Sequence, residues 1–363
     1  MNLLYFSHLG SNIFAGPNYS VPAGIKAQQE YDCCLWVNLT KAFMPHWGQV
    51  EAYHNVDEYG GGNFSKMSLP TPFNHPDLVV FEGFYSMDEV RISWELRCRH
   101  IPYIIVPRGS LTRQAMNNHS WLKKRVAHFL FFDGYCRHAT AIQYLTEQEK
   151  RDSFKGWNRC SFVLPNGFDE PNNKKNSFSA DGIKMVFIGR PDKYHKGLDV
   201  LWQAISEIQS ELRYSKVTLD FYGPNNVGDW SELNSQVEEL GLHDIIFMHD
   251  KIGGKEKEDA LLDADLFVLT SRFEGHPMGL VEALAYGLPA FVTPGSNMAR
   301  EIHDYDAGWV TECNVYSIKE TLRKLIVERE LLLNKGRNAL KLAENYRWNN
   351  IAKAFHEEIM QLL

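Results

Sequence analysis

Short apolar runs alternate along the chain with amphipathic stretches, the pattern of strands and helices wound into a parallel α/β sheet. In the first half, Asn2–Ser7, Cys33–Leu39, Asp77–Phe81, Tyr103–Val106, Ala141–Leu145 and Phe162–Leu164 read as strands. Helical spacing predicts helices over Tyr19–Glu30, Met87–His100, Trp121–Cys136 and Glu147–Phe154. Phe43–Pro76, with Gly60-Gly61-Gly62 and several prolines, reads as loop or irregular structure. The polar stretch 169–182, DEPNNKKNSFSADG, reads as a linker. The alternation then restarts, with strands expected at Lys184–Ile188, Thr218–Tyr222, Ile245–Met248, Leu266–Leu269, Pro289–Val292 and Gly308–Val310. Leu198–Leu212 places Leu198, Leu201, Trp202, Ile205, Ile208 and Leu212 on one helical face. Further helices are expected over Tyr316–Arg329, Glu330–Asn345 and Trp348–Leu363, the last with Ile351, Ala354, Phe355, Ile359 and Leu362 at helical spacing. Two halves of one architecture predict two doubly wound, Rossmann-like domains facing a cleft.

A length of 363 residues suits two domains, and 44% hydrophobic against 23% charged residues is globular composition. The net charge of −7 argues against broad nucleic-acid binding. Six cysteines without a Cys-x-x-Cys spacing make neither a disulfide framework nor a zinc knuckle, so a reduced, cytoplasmic protein is expected. No run approaches the roughly 18 apolar residues of a membrane span. The opening MNLLYFSHLGSN has no basic n-region, so no signal peptide is expected. The charge is uneven. Residues 1–167 carry 16 basic and 14 acidic side chains, whereas the remainder carries 22 and 31. Arg91, Arg97, Arg99, Arg108, Arg113, Lys123, Lys124 and Arg125 face one acid, Glu95, over that stretch. This is either a solvated helix face or a surface that meets something anionic, such as lipid headgroups.

Residues 265–293, DLFVLTSRFEGHPMGLVEALAYGLPAFVT, run from an apolar strand through a polar loop into a helix with Pro277 at its first turn. The helix start offers the backbone N–H groups of Met278, Gly279 and Leu280 to an anion or hydroxyl. Glu274 in the loop and Glu282 inside the helix can converge on one polyol ligand; they also fit a dipole partner and a solvated helix acid. Upstream, residues 185–197, MVFIGRPDKYHKG, form a strand, a Gly189-Arg190 turn, a basic loop and a helix start at Gly197. Arg190 and Lys196 flank a loop at a strand's carboxyl end and suit a diphosphate, Arg as a fork and Lys as a point charge. His195, between them, reads as loop surface.

These segments resemble the retaining glycosyltransferases of family four (glycosyl transferases group 1), which have the GT-B fold. FIGRPDKYHKG resembles the family's phosphate clamp, and FEGHPMGLVEALAYGLPAFVT its Glu-x7-Glu motif. AGPNYSVPA (15–23) resembles its glycine-rich first loop, PRGSL (107–111) an acceptor-side loop and VLPNGFD (163–169) the end of the first domain. Tyr346-Arg347-Trp348 resembles the start of a last helix that crosses back to the first domain.

The resemblance implies an acceptor-side domain over 1–168 plus 346–363 and a donor domain over 183–345, joined by 169–182. It implies transfer of a sugar, with retention, from a nucleotide-diphosphate sugar to a glycan or lipid-linked glycan hydroxyl in cell-surface polysaccharide synthesis. Arg190 and Lys196 would hold the diphosphate, with Gly189 beside them, and Glu282 would bind the ribose. Glu274 and the amides of Met278, Gly279 and Leu280 would grip sugar hydroxyls and phosphate. Gly16 would let the first loop approach the diphosphate. Arg108 stands where many relatives carry His, and is assigned with Lys123, Lys124 and Arg125 to the acceptor side. No cofactor is expected, and no metal, because no Asp-x-Asp motif is well placed. Peripheral contact with an anionic membrane is expected of the basic stretch. A nucleotide-sugar epimerase of the same fold and a non-catalytic nucleotide-sugar-binding module remain as alternatives. A dinucleotide oxidoreductase is disfavoured, since neither half carries Gly-x-Gly-x-x-Gly after its first strand.

Overall fold

The computed structural model describes residues 1–11, 15–61, 63–113, 127–153 and 156–363. It divides into two compact units, Met1–Phe168 with Arg347–Leu363, and Asp169–Tyr346.

The first unit holds a seven-stranded sheet in the order β3-β2-β1-β4-β5-β6-β7, every neighbouring pair parallel. Its strands are β1 Asn2–Ser7, β2 Cys33–Asn38, β3 Tyr53–Asn55, β4 Leu78–Glu82, β5 Tyr103–Val106, β6 Ala141–Tyr144 and β7 Ser161–Val163. Alternate residues point to opposite faces, so the central strands feed two cores. Leu4, Phe6, Val79, Phe81 and Ile105 lie in one, and Leu3, Tyr5, Leu78, Val80 and Ile104 in the other. The last helix, Trp348–Leu362, closes the second core with Ile351, Phe355 and Ile359. Its Trp348 ring lies against Gly24 and Gly167, where a Cβ on Gly167 would come within 2.6 Å of the indole.

Strand β3 falls inside the stretch read as irregular. Three residues are too few to show alternation, and the strand is set by its partner, Tyr53 lying opposite Trp36. In the helix expected over Trp121–Cys136, residues 127 onward are described. A π-helical turn, His128–Phe132, runs into helix Asp133–His138. Phe132 is buried, but Phe129, Leu130 and Phe131 are 80%, 59% and 45% exposed, whereas packing into the core is what the sequence leads one to expect of the phenylalanines. Lys123, Lys124 and Arg125 lie outside the described residues.

The second unit holds a six-stranded parallel sheet in the order β10-β9-β8-β11-β12-β13. The strands are β8 Ile183–Ile188, β9 Val217–Tyr222, β10 Ile246–His249, β11 Leu266–Leu269, β12 Ala290–Val292 and β13 Gly308–Val310. Chain order reverses between β8 and β11, which opens a crevice at their carboxyl ends. The helix expected over Leu198–Leu212 is two helices, Leu198–Glu207 and Gln209–Tyr214, broken at Ile208, whose φ of −121° leaves the helical range.

Residues 169–182 belong to this second unit instead of hanging free. Lys175 Nζ donates to Leu262 O at 2.9 Å and stands 3.6 Å from the buried Asp265 carboxylate. That carboxylate also accepts from the amides of Ser179 and Lys184, each at 2.9 Å. The stretch is thus tied down at a buried acid, through the Ser179 amide and the Lys175 charge.

Candidate functional site

Because β8 and β11 are neighbours, the loops that leave them share one crevice. Glycines bring the backbones together. Gly197 has φ +65°, and a Cβ there would lie 2.2 Å from Thr270 O at the end of β11. Thr270 Oγ1 donates to Lys196 O at 3.0 Å, which fixes the loop over the strand end. At Gly279, a Cβ would sit 3.4 Å from Ile188 O, so helix Met278–Ala285 begins against the end of β8.

Lys196 Nζ donates to Glu274 Oε1 at 2.6 Å, and Ser271 Oγ donates to the same oxygen at 2.5 Å. Both charged side chains are nearly buried, 13% and 9% exposed, so water screens the pair weakly. Glu274 Oε2 accepts no hydrogen bond among the described residues; His195 Nε2 stands 3.9 Å from it. The His195 ring stacks on Phe273 with centroids 4.2 Å apart. Burial, and then the Lys196 charge, hold the imidazole pKa below its ordinary value against the opposing pull of Glu274 and Asp192. His195 is therefore a partly buried neighbour of the Glu274 carboxylate, enclosed at Nε2 where the sequence leads one to expect loop surface. Arg190 is exposed and, among the described residues, makes no side-chain hydrogen bond or ion pair, so its fork is free for a ligand.

The amides expected from the helix start are reduced to one. Pro277 turns at φ −82°, ψ 83°, so Met278 N donates to His276 O at 3.0 Å. Leu280 N donates to Pro277 O at 2.9 Å, and only Gly279 N–H is left without an acceptor among the described residues. Glu282 is a third exposed and pairs with Lys257 of helix Gly254–Asp263. Among the described residues, no shared partner links it to Glu274.

Residues 168–342 match the family model of glycosyl transferases group 1, and that span contains Arg190, Lys196, Glu274 and Glu282. That span is just under half of the chain, and over it the chain is similar to the family. Mannosylfructose-phosphate synthase of Agrobacterium fabrum is 30% identical over 129 residues, 34% of this chain and 28% of the relative. The putative colanic acid biosynthesis glycosyltransferase WcaL of Salmonella typhimurium is 28% identical over 142 residues, 36% of this chain and 33% of the relative. The matches thus span about a third of these curated relatives' length. Among solved structures, HepE from Anabaena in complex with UDP superposes with a TM-score of 0.78 at 17% identity, covering 99% of this chain and 100% of that one. The chain shares the two-sheet GT-B architecture of that neighbour.

Several residues that build the site carry no signal in the motifs. Asn297, at φ +62° just after Pro294-Gly295-Ser296, donates through Nδ2 to the carbonyls of Glu274 and Gly275. Arg272 forks onto Asp199 with two 2.7 Å bonds and lies over the Tyr194 ring at 4.4 Å. Both tie the Glu274 loop to its neighbours, and both join residues remote in sequence.

The first-unit candidates behave differently. The Arg108 guanidinium donates to Glu82 Oε2 from Nε at 3.0 Å and Nη2 at 2.7 Å. Its Nη1 donates to Ser20 Oγ at 3.1 Å and Asn166 Oδ1 at 3.2 Å. The charge expected to meet an anionic acceptor is already matched by Glu82, and the side chain clamps the carboxyl ends of the sheet. Gly16 precedes helix Pro17–Gln28, and a Cβ added to it would meet nothing within 4 Å among the described residues, so packing against them requires no glycine.

Proposed function

We propose that the protein is a retaining glycosyltransferase that moves a sugar from a nucleotide-diphosphate sugar to a hydroxyl of a glycan or lipid-linked glycan. Cell-surface polysaccharide assembly is the setting that fits a relative named for colanic acid biosynthesis. The single observation that carries the reading is the nearly buried Lys196–Glu274 pair, with Arg190 at the start of the same loop making no side-chain hydrogen bond or ion pair among the described residues. Breaking the bond to the anomeric carbon builds negative charge on the departing diphosphate. In this reading Arg190, Lys196 and the Gly279 amide meet that charge. Glu274 uses Oε1 on Lys196 and Ser271, which leaves Oε2 for the hydroxyls of the sugar. A carboxylate held this way grips hydroxyls in place of attacking the anomeric carbon, which favours front-face attack by the acceptor hydroxyl. Glu282 is assigned to the ribose, exchanging Lys257 for the sugar's hydroxyls. The reading is tested by thermal stabilisation with UDP-, GDP- and ADP-sugars, because a bound ligand adds RT ln(1 + [L]/Kd) to stability. One donor is expected to raise Tm, and no shift with any of them would count against the reading.

The two cations do the work often given to a divalent ion, so turnover is expected to survive EDTA. An enzyme that loses activity on chelation and regains it only with Mg²⁺ or Mn²⁺ would contradict this.

We further infer that the first unit touches an anionic membrane surface. Phe129, Leu130 and Phe131 are exposed, and they follow Lys123-Lys124-Arg125 in the sequence. Each basic residue near an anionic bilayer contributes about 1 kcal/mol, falling within a Debye length. Co-sedimentation with phosphatidylglycerol vesicles is expected at low salt, and to weaken in Lys123→Glu/Lys124→Glu/Arg125→Glu without loss of fold. Binding that is absent at low salt, or indifferent to the triple reversal, would leave a soluble acceptor as the better reading.

A further inference from the structure

The Glu274 carboxylate is asymmetric. Two donors converge on Oε1, from Lys196 and Ser271, while no described residue hydrogen-bonds Oε2. A carboxylate gripped at one oxygen can still swing the other about the bond to its chain. One further polar group is near enough to limit that swing. His195 Nε2 is buried, makes no hydrogen bond among the described residues, and stands 3.9 Å from Oε2. An unsatisfied buried ring nitrogen costs free energy, so it persists where something else is gained. The ring itself has little freedom. Phe273 covers one face at 4.2 Å, and the His195 amide is fixed by a 2.9 Å bond to Asp192 Oδ1. The His195 carbonyl accepts from Arg272 N at 2.9 Å, tying this loop to the one that carries Glu274. Nε2 is thus held by its surroundings within 3.9 Å of the carboxylate oxygen that makes no hydrogen bond among the described residues.

We propose that His195 is a positioning residue for Glu274: its Nε2–H closes the short gap to Oε2 when a sugar occupies the site, and fixes the carboxylate towards the sugar hydroxyls. The proposal rests on the glycosyl-transfer reading and adds a residue to it. The charged groups facing the imidazole are Lys196, Glu274 and Asp192. With the ring's pKa held low, the neutral form prevails at pH 7, so a second positive charge does not compete with Lys196 for the carboxylate.

Stacking on Phe273 offers a competing role, in which His195 is simply packing. Two variants separate the roles. His195→Phe keeps a flat ring on Phe273 and removes the donor; His195→Gln keeps an N–H donor and removes the ring. With the donor sugar found by the thermal screen, His195→Phe is expected to lower kcat about tenfold or more while leaving nucleoside diphosphate affinity unchanged. His195→Gln is expected to recover most of that loss. The reverse order, with His195→Phe near normal and His195→Gln impaired, would overturn the proposal. A second measurement needs no substrate. In the apo protein, NMR titration of the His195 ring is expected to show a pKa that falls further in Glu274→Gln, because the variant removes a carboxylate that favours the protonated ring. An unchanged pKa would show that Glu274 and the ring do not interact, whatever the protein transfers. Lack of turnover by the wild-type chain with every donor would instead bear on the glycosyl-transfer reading.

Discussion

Lys196→Ala is expected to lower kcat/KM by about 30- to 900-fold, the loss of roughly 2–4 kcal/mol of transition-state stabilisation. Two effects combine in that figure. The ammonium is lost from the departing diphosphate, and Glu274, 9% exposed, is left with Ser271 as its only donor among the described residues. A nearly buried carboxylate without its cation is costly, so Tm is also expected to fall. Arg190→Ala should behave otherwise. Arg190 is exposed and unpaired among the described residues, so the fold gains nothing from its charge. Nucleoside diphosphate affinity and turnover are expected to drop together while Tm stays put. Calorimetric binding of the diphosphate, steady-state kinetics and thermal melts on the two variants check this. Near-normal kinetics in both would remove the cations from the mechanism.

The two glutamates are expected to fail in different ways. Glu274→Gln keeps the shape but weakens both grips, on the sugar hydroxyls through Oε2 and on Lys196 through Oε1. Transfer is expected to fall about a hundredfold, since hydrogen bonds to a charged group are each worth about 1.5–3 kcal/mol. Affinity for nucleoside diphosphate without a sugar should change little. Glu282→Gln acts at the other end of the donor. Its carboxylate pairs with Lys257 and is a third exposed, so the protein tolerates the change, and weaker nucleoside diphosphate binding is the main expected effect. Equal losses of free nucleotide affinity in both variants would refute the division of labour.

Much of the candidate site in the second unit is legible in the sequence because its residues sit in two short, contiguous segments. Residues 185–198 and 265–282 each carry strand, loop and helix start in one short run, and local pattern is what sequence reports well. The α/β class likewise follows from alternation, and β1, β5, β11 and β13 match the expected bounds residue for residue. What stays hidden depends on long-range pairing. The Arg108 clamp draws on Ser20 of a helix, Glu82 at the end of β4 and Asn166 after β7, and no spacing in the chain announces it. Asn297 reaches Glu274 from the loop after β12. The amides of Met278 and Leu280 depart from expectation because Pro277 tightens the turn and both donors are taken locally. His195 reads as loop surface since a lone histidine between charged residues has no periodic signature; only the Phe273 stack shows it to be enclosed.

The most direct test of the central claim is the release of nucleoside diphosphate from a panel of UDP-, GDP- and ADP-sugars, followed for the wild-type chain and Lys196→Ala side by side with a polyprenyl-linked glycan acceptor. The account predicts that one donor is consumed by the wild type, that a glycosylated product appears in step with the released diphosphate, and that Lys196→Ala is slower by two orders of magnitude or thereabouts, roughly 3 kcal/mol. Consumption of a donor at equal rates by both proteins, or of none by the wild type, would contradict it.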